Sequence, residues 1–396
     1  MGRRFPSMST TTFVPARLKM ARAIRQMTAT ALAAEAGTTP PWVSQAERSK
    51  DTPSPELIRE FARVLNLPIE FFYRPLKHLP PSDAFHFRAT SRLAKKDEDM
   101  ARALSALAME LSDWIEDTYR APEPAVPEVQ DLIGSDDEVA PEQAAEALRG
   151  AWGLGVAPIK NLLQLLESKG AKIYSAGGPL QAIDAFSFRH AATPVIFLNV
   201  HKSAERLRFD LAHELGHLVM HGGSLHVEPG KEKELAANDF ASAFLMPRSD
   251  VLGSIRGNLM LEDVLVLKRR WRVSAMALNL RAHRLGVISE WTYSTLAKQL
   301  SIAGFRRGEP GSDLRVESSS LLTQVMSDMR ARGDGFSDIA RVLNVRAQDV
   351  QDLMLGIVTF AIQGEGMRAV RSTADLREAS VAPVTDLSRH RGAHRG

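Results

Sequence analysis

His213 and His217 stand four residues apart, with Glu214 beside the first, inside an apolar run from Phe209 to Met220. Residues four apart share one face of a helix, so a helix here can aim both imidazoles at a single ion. This constrains the fold sharply. The helix has to be packed on most sides, yet one face must meet a second element that completes the ion's coordination. A catalytic zinc takes three protein ligands and keeps one position open. Glu214 lies where it can take a proton from a metal-bound water, which supplies the parts for peptide hydrolysis without a covalent intermediate.

The run Lys231 to Pro247 is the natural source of the third ligand. It has the pattern of an amphipathic helix, with Phe240, Phe244 and Leu245 on one side and a proline stop. Glu234 projects from its first turn. Glu232, two residues earlier, points to nearly the opposite side. His221 continues the first helix at the next four-residue step; it can cap that helix before Gly222-Gly223, support a ligand, line the cleft or itself ligate.

These residues resemble the ImmA/IrrE family of metallopeptidases over Asp184 to Pro247. The matching stretches are Asp184-Ala185-Phe186-Ser187-Phe188, Pro194-Val195-Ile196-Phe197-Leu198-Asn199, Glu205 to His217, His221, and Glu234-Leu235-Ala236-Ala237-Asn238-Asp239-Phe240-Ala241. Weaker likeness continues through Trp271-Arg272-Val273-Ser274 and Arg281 to Ser289, as far as Glu309-Pro310. The resemblance implies His213, His217 and Glu234 as zinc ligands and Glu214 as catalytic base. It also implies a protein substrate, typically a helix-turn-helix repressor or an antitoxin-like protein cleaved in a stress or mobile-element response.

Around the motif, Pro194 to Val200 is a short β-branched apolar run, a buried strand by pattern, and Ala185 to Arg189 alternates as a neighbouring strand. An edge of such a pair can hold an extended peptide by main-chain bonds. Arg206 and Arg208 bind substrate or carry structural ion pairs. Tyr174, His190 and His201 are the candidates for stabilising an oxyanion.

A second signal lies at the N-terminus. Arg17 to Gln26 has helical spacing; Thr28 caps a run through Leu32, Ala33 and Ala36 that Gly37 closes; Thr39 caps a third helix beginning Pro40-Pro41; a fourth spans Ser54 to Leu65. Short helices with a glycine-containing turn between the second and third describe a helix-turn-helix unit. It resembles the Cro/phage-repressor (XRE-type) family through Arg17 to Arg22, Thr28, Leu32-Ala33, Gly37, Val43-Ser44-Gln45, Glu47-Arg48, Pro53-Ser54, Leu57, Ala62, Leu65, Pro68 and Phe71-Phe72. Two positions depart from it. Ala29 replaces the usual phosphate-contacting glutamine, and Pro40-Pro41 occupy the start of the recognition helix, where proline cannot donate to base edges. Gln45 is left as base reader, with Thr39, Trp42 and Ser44 as helpers. Arg17, Lys19, Arg22, Arg25, Arg48 and Lys50 are the phosphate candidates. Residues 15–75 hold nine Lys/Arg against six Asp/Glu, a mild basic excess compatible with double-stranded operator DNA. A unit that only dimerises or recognises protein has the same helix pattern.

With 396 residues, 44% of them hydrophobic, the chain is large enough for two or three domains. Its +3 formal charge is too small to imply a polyanion partner by itself. The absence of cysteine excludes disulfides and cysteinyl metal sites and fits a reducing cytosol. No apolar stretch approaches membrane-spanning length and no signal-peptide core opens the chain, so a cytoplasmic location without a membrane partner is expected. Met8 is an alternative start.

The expected fold is mainly α. A helix-turn-helix bundle at 15–75 is followed by a helical connector and an acidic proline-rich linker at 76–140. An α+β zincin-like metallopeptidase domain with a small sheet follows at 141–290, then a helical C-terminal region at 291–370 and a disordered tail at 371–396. Within these, Glu98 to Tyr119 reads as a helix that packs on the peptidase or forms a dimer seam, and Asp263 to Gly286 as helical. Ser337 to Val350 echoes the N-terminal unit, as a sensory or dimerisation bundle or a second DNA-binding unit. The functional expectation is a DNA-binding transcriptional regulator with a zinc-dependent metalloendopeptidase domain that cleaves a repressor-type protein, possible as a homodimer. The alternative is a non-proteolytic transcription factor whose zinc domain senses a ligand or holds structure.

Overall fold

The computed structural model describes residues 12–81, 86–87, 94–134, 138–176, 183–221, 230–255 and 259–358. The expected tail at 371–396 and Met8 lie outside the described residues. About 60% of the chain is helical, as expected for a mainly α protein.

The N-terminal bundle comprises α1 (Pro15–Ile24), α2 (Ala29–Glu35), α3 (Pro40–Glu47) and α4 (Pro55–Leu65), closed by a 3₁₀ turn at Ile69–Tyr73. Side-chain caps set two of the starts: Thr28 accepts from the Ala31 amide at 3.1 Å, and Ser54 from the Leu57 amide at 3.3 Å. Thr39 sits at the N-cap of α3 with extended backbone but makes no side-chain cap bond, so Pro40 at the first turn fixes that start instead. Asn66, with φ +48°, ends α4 in the left-handed conformation that asparagine tolerates. Leu18, Leu32, Val43, Phe61, Leu65, Phe71 and Phe72 form the bundle's core.

After β1 (His86–Phe87) comes the long helix α5 (Lys95–Thr118). Its buried flank explains why sequence left its partner open, because α5 touches both units. Arg17 of α1 pairs with Glu110 on one side. On the other, Ser112 and Tyr174 share a 2.7 Å hydroxyl bond. The acidic proline-rich stretch expected as a linker is packed in part. It carries α6 (Val129–Ile133) and leads into α7 (Pro141–Ala151), with Val126 and Val129 buried and the Ala125 amide bonded to the Lys169 carbonyl at 2.9 Å.

The sheet follows α8 (Leu162–Ser168) and contains β2 (Lys172–Ser175), β3 (Ala185–His190) and β4 (Thr193–Leu198), in the order β1-β3-β4-β2. β3 and β4 form an antiparallel hairpin from Ala185↔Leu198 to His190↔Thr193, and β2 runs parallel to β4. Pleating sorts the side chains between two faces. Phe186, Phe188, Phe197 and Tyr174 lie on the side of α5, while Ser187 and Arg189 face α9 (Ala204–Met220), where Arg189 donates to the Leu218 carbonyl at 3.0 Å. Against α9 lies α10 (Lys231–Leu245), followed by α11 (Arg248–Ser254).

The stretch Asp263 to Gly286, expected to be helical, holds two helices, α12 (Leu261–Trp271) and α13 (Ala275–Arg284). Arg272 takes φ +57° between them, and the Ser274 hydroxyl caps α13 by accepting from Ala277 at 3.1 Å. The period alone could not separate two helices joined by so short a turn. After α14 (Glu290–Ile302), the C-terminal bundle consists of α15 (Ser320–Ala331), α16 (Phe336–Leu343) and α17 (Ala347–Met354). It folds back onto the N-terminal unit: Asp349 accepts from both terminal nitrogens of Arg25 at 2.9 and 3.0 Å.

Candidate metal centre and nucleic-acid interface

The motif helix α9 is buried along most of its length, and its buried arginine is structural. Arg208 pairs with Glu317 and donates to the Ile159 carbonyl; Arg206 donates to the Arg306 carbonyl at 2.6 Å. Gly216 matters for the next layer. A Cβ at this position would meet a Phe240 ring carbon at 3.0 Å and the Ala237 backbone at 3.3 Å. A methyl group here would press α10 back by a few tenths of an ångström, so glycine permits the close approach.

That approach brings Glu234 to the histidines. The Nε2 atoms of His213 and His217 are 3.1 Å apart, and the Glu234 carboxylate oxygens lie 3.3 Å from the first and 3.2 Å from the second. For a tetrahedral ion with zinc–ligand bonds of about 2.0–2.1 Å, neighbouring donors stand roughly 3.3 Å apart. The cluster therefore has the spacing that such an ion requires, and these three residues could hold a metal. Both imidazoles are buried, while the Glu234 side chain retains 33% of its exposure. Burial pushes the Glu234 carboxyl up, but the bonds from His213 and His217 outweigh it and hold the group well below the usual carboxylate range.

Asn238, one turn beyond Glu234, places its Oδ1 3.1 Å from Nδ1 of His213. A carbonyl oxygen can only accept, so this contact favours the proton on Nδ1, which leaves the Nε2 lone pair for an ion. Glu214 is fully buried, and its Oε2 accepts from the Ser187 hydroxyl at 2.6 Å. Sequence reading assigned no task to Ser187, Asn238 or Gly216. All three lie in or beside the quoted motifs, but their contacts cross between elements.

Glu232 is exposed and outside the cluster. His221 caps α9, its ring 5.5 Å from that of His217. Two oxyanion candidates fall away. Tyr174 is buried on the α5 face, bonded to Ser112, and His190 lies on that face too, joined through His78 to Asp113 of α5 by contacts of 3.0 and 2.7 Å. His201 is exposed in the turn before α9, and no contact places it at the cluster.

In the N-terminal unit, Thr39 before α3, Gln45 on it, and Arg48 and Lys50 just after it are exposed, and Ser44 is half-buried. Trp42 packs its ring 6.4 Å from Phe61 and is partly buried. Arg17 requires correction as a phosphate contact. It is fully buried, stacked over Phe71, and bonded to Glu110 and to the carbonyls of Arg74 and Pro75 at 3.0 and 2.8 Å. Arg22 is engaged with Glu47 at 2.7 and 3.0 Å, and Arg25 with Asp349. Lys19 remains exposed with Arg48 and Lys50.

The class follows from these two sites: a helix-turn-helix unit of the kind used in DNA-binding regulation, joined to a peptidase-type α+β unit. Residues 16–70 match a helix-turn-helix domain, and residues 166–283 match the IrrE N-terminal-like domain of a peptidase family, in that order along the chain. The second match spans His213, Glu214, His217 and Glu234. No curated protein matches the chain. Among the described residues, no helix is long and apolar enough to cross a membrane.

Proposed function

We propose that the chain is a DNA-binding transcriptional regulator whose second unit, expected at 141–290, is a zinc-dependent endopeptidase acting on a repressor-type or antitoxin-like protein in the cytoplasm. The observation that carries this reading is the convergence of His213, His217 and Glu234 beside a buried Glu214. Two imidazoles and one carboxylate form a donor set suited to a catalytic zinc with an open position. When bound, zinc supplies a Lewis acid that acidifies water and polarises a carbonyl.

The residues divide the remaining work. Asn238 fixes the His213 ring, and Gly216 lets Glu234 reach the cluster. Ser187 holds Glu214, which takes the proton of the attacking water and returns it to the leaving amine. Gln45, with Thr39, Ser44 and the edge of Trp42, reads bases, and Lys19, Arg48 and Lys50 hold phosphates of an operator. Homodimers would suit a two-fold operator.

The test is zinc content and proteolysis measured together on wild type and Glu214→Gln, with helix-turn-helix repressors encoded beside the gene as substrates. The expected result is stoichiometric zinc in both proteins and cleavage by wild type alone. Zinc in both without any cleavage transfers the assignment to a non-proteolytic, zinc-held regulatory domain. Absence of zinc from both overturns the reading.

A further inference from the structure

The edge of β3 is where the peptidase reading and the connector meet. Ser187 in the middle of β3 turns its hydroxyl onto Glu214, so the strand's main chain at this point lies directly over the base. One edge of β3 is paired with β4. The other is a row of main-chain donors and acceptors of the kind beside which an extended peptide lies in strand addition. That row is taken. β1 pairs with it antiparallel, in the register His86↔Ser187 and Phe87↔Phe186. Adjacent strands run about 4.8 Å apart, so the β1 backbone lies one strand spacing from the residue that touches Glu214.

β1 belongs to the connector between the DNA-binding unit and α5. Its near end is anchored to the first unit, because Arg17 binds the carbonyls of Arg74 and Pro75. We propose that β1 is an intramolecular occupant of the substrate-strand position: the chain holds His86–Phe87 against β3 where an extended segment of a protein substrate docks, and docking requires β1 to leave. The inference rests on the peptidase reading of the site. A pairing only two residues long supplies few main-chain bonds. A longer β-forming segment, with bonds along more of Ala185–His190, displaces it by number of bonds. The occupant thereby excludes short or weakly pairing peptides and admits a partner that can match the length of the strand.

Full-length Glu214→Gln protein, which cannot turn over a bound peptide, provides the test. Two variants are made in it, His86→Pro with Phe87→Pro, and His86→Gly with Phe87→Gly. The first deletes two main-chain donors; the second keeps them but weakens the strand. The probe is a fluorescein-labelled synthetic peptide of residues 82–91, added in trans and followed by anisotropy, with zinc content and circular dichroism measured on each protein. Both variants are expected to bind the peptide at least tenfold more tightly than their parent, with unchanged zinc and helicity. Equal binding to all three proteins, or no gain in either variant that retains zinc and helicity, overturns the proposal. Failure of the peptidase reading registers separately, as missing zinc in the parent.

Discussion

The Ser187 hydroxyl donates to Oε2 of Glu214 at 2.6 Å, tying strand β3 to the acidic residue of the candidate metal-binding motif. A hydrogen bond to a charged group is worth about 1.5–3 kcal/mol. Ser187→Ala should therefore lower kcat about tenfold or more while zinc content stays the same. An unchanged rate would assign Ser187 to packing alone.

The metal affinity should respond to residues that never touch the metal. Asn238→Ala removes the acceptor that fixes the His213 ring, and changes of this type cost about 10–100-fold in metal affinity. Gly216→Ala pushes α10 off α9 by a few tenths of an ångström, because the new methyl group meets Phe240 and Ala237. Its expected effect is weaker zinc binding with little change in helix content. Competition with a chromophoric chelator measures both variants.

Arg17 and Glu110 form a buried pair between α1 and α5. Burial lowers the Arg17 pKa, and Glu110 opposes that shift. Removing one partner leaves a buried charge, so Arg17→Met and Glu110→Gln should each destabilise the fold by about 3–5 kcal/mol. The double variant should recover much of that loss in urea denaturation. Salt-dependent DNA binding by a folded Arg17→Met protein should keep the wild-type slope, since Arg17 is not at the surface.

Asp349 joins the C-terminal bundle to Arg25, and burial alone would raise its pKa. Bonds from Arg346 and Arg25 more than offset this and hold it below the usual aspartate range. A depressed folded-state pKa means that the stabilisation is complete above the unfolded value and is lost as pH falls through the folded one. The urea midpoint of wild type should therefore exceed that of Asp349→Asn at pH 7, and the gap should close as the pH is lowered below about 4. A gap that persists at pH 2 would place the effect elsewhere.

On DNA, Arg48→Ala and Lys50→Ala should weaken binding evenly across sequences and reduce the slope of log K against log salt by about 1 each. Gln45→Ala should relax specificity instead, by about 1–3 kcal/mol at one base pair. Titrations of operator and scrambled duplex at several salt concentrations separate the two behaviours.

Local pattern carried much of this molecule. The four-residue spacing of His213 and His217, the first-turn position of Glu234, and the caps at Thr28 and Ser54 are properties of neighbouring residues, and so were legible in the sequence. The break at Arg272 was not, because a left-handed residue between two helices leaves the apolar period nearly intact. Arg17 shows the same limit for charge. An arginine near a DNA-binding helix reads as a phosphate contact until a glutamate 93 residues away is found to bury it. Helical periodicity and ligand spacing by themselves brought out two helix-borne candidate sites. Only tertiary structure decided which side chains serve them: Ser187 on Glu214, Asn238 on His213, and β1 on the edge of β3. The reason is physical. A helix face is set by a spacing of three or four residues, whereas a hydrogen bond between elements depends on how closely two backbones pack, and at α9 and α10 that closeness depends on the missing side chain of Gly216.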